Sequence, residues 1–240
     1  MCQSIRKVLL FVVLQMLIAN IIVAQDRRAL RDSLSMVMQR LSYSPESIGL
    51  RLKKASLNMQ LEQWEYAKDE YDYVINHEPL NLTALFFRAY VNEKLHRYHF
   101  ARLDYQSLLS VVPSNFEGRL GLALLNQKDK HYTEAMDQMH ILVEQHPDSA
   151  VAHAALAGIE KERNLYELAI SDYGKAISLD PTNTDYLLNR ADLYIKLKKF
   201  ADANDDLERL VALGVSRTSL EDWFQKTTKK KKRKASRKIE

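Results

Sequence analysis

The sequence predicts an all-α protein assembled from repeated antiparallel helix pairs. Three observations carry that expectation. The 240 residues include only 6 Gly and 5 Pro, too few for a loop-rich β architecture. All five prolines, Pro45, Pro79, Pro113, Pro147 and Pro181, stand 34 residues apart. Two more registers of the same period hold only alanine: Ala55, Ala89, Ala123, Ala157 and Ala191, then Ala67, Ala101, Ala135, Ala169 and Ala203. Agreement of separate registers at one such period is the mark of a stacked repeat.

The chain begins with a segment that reads as an export signal. Arg6 and Lys7 precede the apolar run Val8 to Ile18, and Ile22-Val23-Ala24 ends in a small residue before Gln25. Residues 1–24 are therefore expected to be a signal peptide, with an anchor over residues 8–24 as the alternative. The triplets Asp32-Ser33-Leu34 and Asp148-Ser149-Ala150 resemble the Asp-Ser-apolar acceptor of Bacteroidetes protein O-glycosylation, and the Ala-Gln junction resembles exported proteins of that phylum. The expected compartment is a Gram-negative periplasm or envelope.

Residues 25–45 read as a lone helix packed ahead of the first full unit. Five units follow over 46–215, at 48–81, 82–115, 116–149, 150–183 and 184–215. Within each, proline lacks an amide hydrogen and biases its predecessor away from helix, so it closes the second helix. Alanine lets two helix backbones approach. An aromatic register, Trp64, Tyr98, Tyr132, Tyr166 and Phe200, opens the second helix. In Leu82–Lys94, apolar Leu82, Leu85, Phe86, Ala89 and Tyr90 recur at helical steps. Val215 replaces the sixth proline, so the array is expected to end there. Residues 216–240 then form a capping helix, with Trp223 and Phe224 covering the last unit, and a basic tail.

This pattern resembles the tetratricopeptide-repeat family, over about residues 46–213. The resemblance implies a right-handed superhelical solenoid of helix–turn–helix units. It also implies that small residues hold unit positions 8 and 20 and large ones position 24, here Tyr71, Tyr105, Met139, Tyr173 and Leu207. Position 4, aromatic in the family, is Arg51, Leu85, Arg119, His153 and Leu187. The first helices are expected to line an inner groove. Its candidate lining in the first three units is Leu52, Ser56, Met59, Phe86, Tyr90, Glu93, Leu120, Leu124 and Gln127. Apolar side chains dominate that set, which suits a partner helix or peptide. The lysine and asparagine with which some relatives hold a chaperone's C-terminal carboxylate are Leu52 and Ser56 here.

No catalytic pattern accompanies the repeats. The six glycines are scattered, neither a GxSxG nor an HExxH run occurs, and the one cysteine, Cys2, lies in the signal. His96 and His99 fall at a turn with no third ligand in sequence view. No cofactor or metal is expected, and the chain is read as a non-enzyme. Asp202, Asp205 and Asp206 are expected on a solvated helix face.

Charge is unevenly distributed. Residues 25–225 hold 24 basic and 30 acidic residues, whereas residues 226–240 hold nine basic and one acidic. The tail, with Lys229, Lys230, Lys231, Lys232, Arg233 and Lys234 at its centre, gives a second functional reading. It would tether the chain to an anionic membrane surface or an acidic partner. Nucleic acid is the weaker option, because no aromatic residue after Phe224 could stack on a base.

Overall fold

A computed structural model describes residues 25–227. The expected signal, the alternative anchor and the basic tail beyond Thr227 lie outside the described residues. Among the described residues the secondary structure is helical throughout. Residues 25–43 form α1. Ten helices follow as α2 Ile48–Gln60, α3 Trp64–His77, α4 Leu82–Lys94, α5 Tyr98–Val111, α6 Phe116–Lys128, α7 Tyr132–Gln145, α8 Ala150–Glu162, α9 Tyr166–Leu179, α10 Thr184–Lys196 and α11 Phe200–Ala212. A 3-10 turn, Arg217–Leu220, leads into a final helix, α12, over 221–227.

Each helix pair has the same punctuation. The residue before the first helix of every unit is a short polar cap: Ser47, Asn81, Asn115, Ser149 and Asn183 each accept a backbone N–H of the first helical turn. Such a cap is worth about 1 kcal/mol against alanine. The first helix then ends in a Schellman turn. In the first unit Gln63 N–H donates to Asn58 O at 2.8 Å and Glu62 N–H to Met59 O at 3.0 Å. The residue in the left-handed region there is never glycine: it is Glu62, His96, Lys130, Asn164 or Lys198, with φ between 57° and 63°. The second helix of each of the first four units ends before its proline, at an extended residue such as Glu78 (φ −129°) or Val112 (φ −129°). The fifth unit has no proline, and α11 stops instead at Gly214, φ 93°.

The described chain falls into two compact bodies, divided between Pro113 and Ser114. The first holds α1–α5. Its core is Ala55, Ala67, Tyr71, Val74, Ala84 and Val91, flanked by Ile48, Leu52, Met59 and Trp64. α1 adds Val37 and Leu41 against Leu57. The second body holds α6–α12. Ala123, Ala135, Met139, Leu142, Leu156 and Ile159 form one centre, and Leu187, Leu207, Leu210, Leu220 and Phe224 another. Trp223 packs partly buried against the latter, so α12 does cover the fifth unit's apolar face. Thr227 ties it down, its hydroxyl donating to Asn204 Oδ1 at 2.7 Å.

All ten alanines of the two registers have no exposed surface. Any larger side chain there would have to force neighbouring helices apart. Tyr71, Tyr105, Met139, Tyr173 and Leu207 are likewise buried, filling the space beside those close approaches.

Candidate functional site

The candidate lining residues divide into two kinds. In the first body, Leu52 and Met59 are half-buried against the core, and Met59 Sδ accepts from Tyr71 OH at 3.1 Å. Ser56 is exposed. Phe86 and Glu93 are half-buried, and Glu93 accepts from Tyr105 OH at 2.8 Å. Burial, reinforced by Glu93, pushes the Tyr105 phenol well above its usual range. Tyr90 stands out with 37 % of its surface exposed. In the second body, Leu120 and Gln127 are half-buried, Leu120 against the core, while Leu124 is 42 % exposed.

The sequence reading missed Phe87, which is 37 % exposed and one helical turn from Tyr90 on α4. Its signal was available, since Phe87 and Tyr90 are three residues apart and share a helix face. These rings are fixed by neighbours. The Tyr90 ring meets Trp64 edge-on at 6.2 Å, Phe87 stacks on Tyr71 at 6.2 Å, and Phe86 meets Tyr105 edge-on at 6.0 Å. Lys94 Nζ lies 5.0 Å from the Tyr90 centroid and 5.9 Å from that of Trp64. The first body therefore presents a rigid aromatic patch with one cation at its edge.

The second body's first helices become polar further along. Lys161 Nζ on α8 donates to Asn189 Oδ1 at 3.1 Å and pairs with Asp192 at 2.9 Å, both on α10. Lys196 pairs with the same Asp192 oxygen at 3.3 Å. Burial alone would raise the Asp192 pKa, but Lys161 and then Lys196 hold it below the ordinary carboxylate value. Gly158 leaves room on α8, with the Tyr173 hydroxyl 4.0 Å from where a β-carbon would stand.

A second polar system sits inside the helix pairs. At position 23 the five units carry Glu70, Asp104, Gln138, Asp172 and Asp206, and a donor on the first helix reaches each. Arg51 and Lys54 hold Glu70, with Arg51 at 2.9 Å. Arg88 is bidentate to Asp104 and also donates to Asp72 at 2.8 Å. Arg119 donates to Gln138 at 2.8 Å, and His153 Nδ1 lies 3.1 Å from Asp172. Arg190 is bidentate to Asp206 at 2.9 and 2.7 Å. Burial lowers the pKa of Arg88, but Asp104 and Asp72 outweigh it and raise the net value.

This system corrects one expectation. Asp202 and Asp205 are exposed, but Asp206 is only 3 % exposed. It faces inward because it is the fifth unit's acceptor for Arg190. It also accounts for the polar residues at position 4: Arg51, Arg119 and His153 act as donors across the pair where the family places an aromatic ring.

His96 is the left-handed turn residue, its ring 3.0 Å from Tyr98 OH, and His99 is exposed on α5. Among the described residues no group of three His, Cys, Asp or Glu side chains could hold a metal ion. Among the same residues no helix is long and apolar enough to cross a membrane.

The tetratricopeptide-repeat family model matches residues 117–149 and 185–213, two of the helix pairs just described. The chain carries tetratricopeptide repeats. A tetratricopeptide-repeat protein from Parabacteroides merdae shares the fold with a TM-score of 0.61 at 20 % identity, over 85 % of this chain and 80 % of its own. YrrB, a tetratricopeptide-repeat protein described as having an unusual peptide-binding site, is similar at TM-score 0.57 and 16 % identity, over 74 % of this chain and 91 % of its own. Stress-induced-phosphoprotein 1 of Caenorhabditis elegans is 36 % identical over 67 residues, 28 % of this chain and 21 % of the relative. The Hsp70-Hsp90 organizing protein 1 of Glycine max is 43 % identical over 49 residues, 20 % of this chain and 9 % of the relative. The chain thus spans less than a quarter of either curated relative.

Proposed function

We propose that this tetratricopeptide-repeat chain is a non-enzymatic protein–protein interaction scaffold that captures a partner helix or peptide on its first-helix face. The rigid aromatic patch of the first body carries this reading. Phe87 and Tyr90 are large, partly exposed and already held by Tyr71 and Trp64, so binding would cost little additional ordering of these rings. Fixed aromatic anchors of this kind supply most of the energy at protein interfaces. In the second body, Leu124 is an exposed apolar side chain on the first helix. The tetratricopeptide-repeat match and the peptide-binding description of YrrB agree with this reading. The cell envelope is its proposed setting, on the strength of the signal-like residues 1–24.

The test is a quantitative affinity purification from envelope extracts with three baits. One is residues 25–240, one carries Phe87→Glu, Tyr90→Glu and Leu124→Glu, and one ends after Thr227. The cut respects the Thr227–Asn204 bond, which an earlier stop would remove. The expected result is a partner kept by the truncation and lost by the triple variant, with circular dichroism unchanged. Loss by the truncation alone would move binding to the tail and refute the groove.

A further inference from the structure

The fourth unit departs from its siblings at a buried position. The first three units carry Asn58, Asn92 and Asn126 at position 11, and the Asn92 amide donates to the position 23 acceptor Asp104 at 3.3 Å. The fourth carries Glu160. It is 2 % exposed, and its Oε2 has no hydrogen-bond partner among the described residues. Two acids therefore face each other across α8 and α9, where the second unit pairs an amide with an acid.

Asp172 is already engaged. Lys175 donates to it at 3.0 Å, and His153 Nδ1 lies 3.1 Å away. His153 is 4 % exposed, and its Nε2 lies 3.2 Å from Pro147 O. Both ring nitrogens of His153 thus face oxygen atoms, one on each side of the ring. A charged Glu160 would be a desolvated anion beside a second anion.

We propose that the α8–α9 pair is a proton-held junction, closed while Glu160 carries its proton and loosened when rising pH removes it. Burial, then Asp172, raises the Glu160 carboxyl to about 7, with Lys175 opposing. α9 supplies Asp172 and Lys175, and α8 supplies His153 beside Asp172. The charges that act on Glu160 are thus Asp172 and Lys175, both on α9. The direction follows from proton counting. Between the unfolded glutamate value and about 7 the folded pair binds more protons than the unfolded chain, so stability falls as pH rises. Above about 7 the glutamate contribution is gone and the curve levels. Loosened α8 would also lose the Lys161 ties to Asn189 and Asp192, which gives this interior site a route to the repeat surface.

Two measurements on the 25–240 chain test the junction. The first is hydrogen exchange, corrected for intrinsic rates, from pH 5 to pH 8. The opening equilibrium of α8 and α9 should grow up to about tenfold per pH unit below neutrality and then flatten. Glu160→Gln should abolish that slope. A flat wild-type profile, or one unchanged by the substitution, overturns the proposal. The second needs no variant: the Glu160 carboxyl carbon, followed by NMR, should titrate near 7, and a midpoint in the ordinary glutamate range overturns it.

Discussion

Replacing Asp206 by alanine should destabilise the second body by about 3 kcal/mol, one of the larger losses expected from a single side chain outside the apolar core. Removing one partner of a buried ion pair leaves the other desolvated and unpaired, which typically costs about 3–5 kcal/mol. Arg190 would lose both bidentate acceptors while its side chain remains only 19 % exposed. That residual solvent contact places the expected cost at the lower end. A contrasting pair is Arg217–Glu208, at 2.9 Å but with both side chains more than half exposed. Glu208→Ala should shift stability by less than about 0.5 kcal/mol. Urea unfolding followed by circular dichroism compares the two. Replacing Arg190 and Asp206 together by methionine and leucine should recover most of the loss, because the penalty lies in the orphaned charge rather than in a missing attraction.

The second large effect has the opposite sign. Glu62, His96, Lys130, Asn164 and Lys198 hold left-handed backbone that glycine would occupy without strain. Changing Lys130 or Lys198 to glycine should stabilise the fold by roughly 0.5–1 kcal/mol each, the relieved strain being offset in part by greater freedom of the unfolded chain. Asn164 should gain least, because asparagine tolerates this conformation and its side chain accepts from Tyr166 OH at 2.5 Å. His96 loses a contact with Tyr98, and Glu62 only a long, exposed one with Arg27 at 3.5 Å. The turns are well separated, so the five changes should add to about 2–4 kcal/mol. Thermal unfolding that moves down, or not at all, in the Lys130→Gly/Lys198→Gly double variant would show that the turns are not under strain.

The repeat was legible because it is a packing constraint repeated five times. Ala55, Ala67 and their equivalents have no exposed surface, and only a small side chain fits there. The prolines were legible because each removes a backbone donor at a fixed place. The interior ion pairs were harder to see. Asp206 looked like one member of an exposed acidic run with Asp202 and Asp205, and helical periodicity alone did not rank the three. Reading position 23 as a column would have separated it, since Glu70, Asp104, Gln138, Asp172 and Asp206 are all polar beside a large buried residue. The candidate surface was half legible. Position numbers identified Tyr90 and Leu124, which are exposed, together with Leu52, Met59 and Leu120, which are tied into the cores. Solvent exposure depends on neighbouring helices, and a single helix pattern does not encode it.

The most direct measurement of the central claim is site-specific photocrosslinking in cells. A photoreactive residue at Tyr90 or Leu124 samples the first-helix face, and one at Tyr66 or Leu168 samples exposed second-helix positions, 65 % and 52 % accessible. The scaffold account predicts a defined adduct from Tyr90 or Leu124, and none from Tyr66 and Leu168. The same adduct from Tyr66 or Leu168, with none from Tyr90 and Leu124, would place the binding surface on the second helices and contradict it.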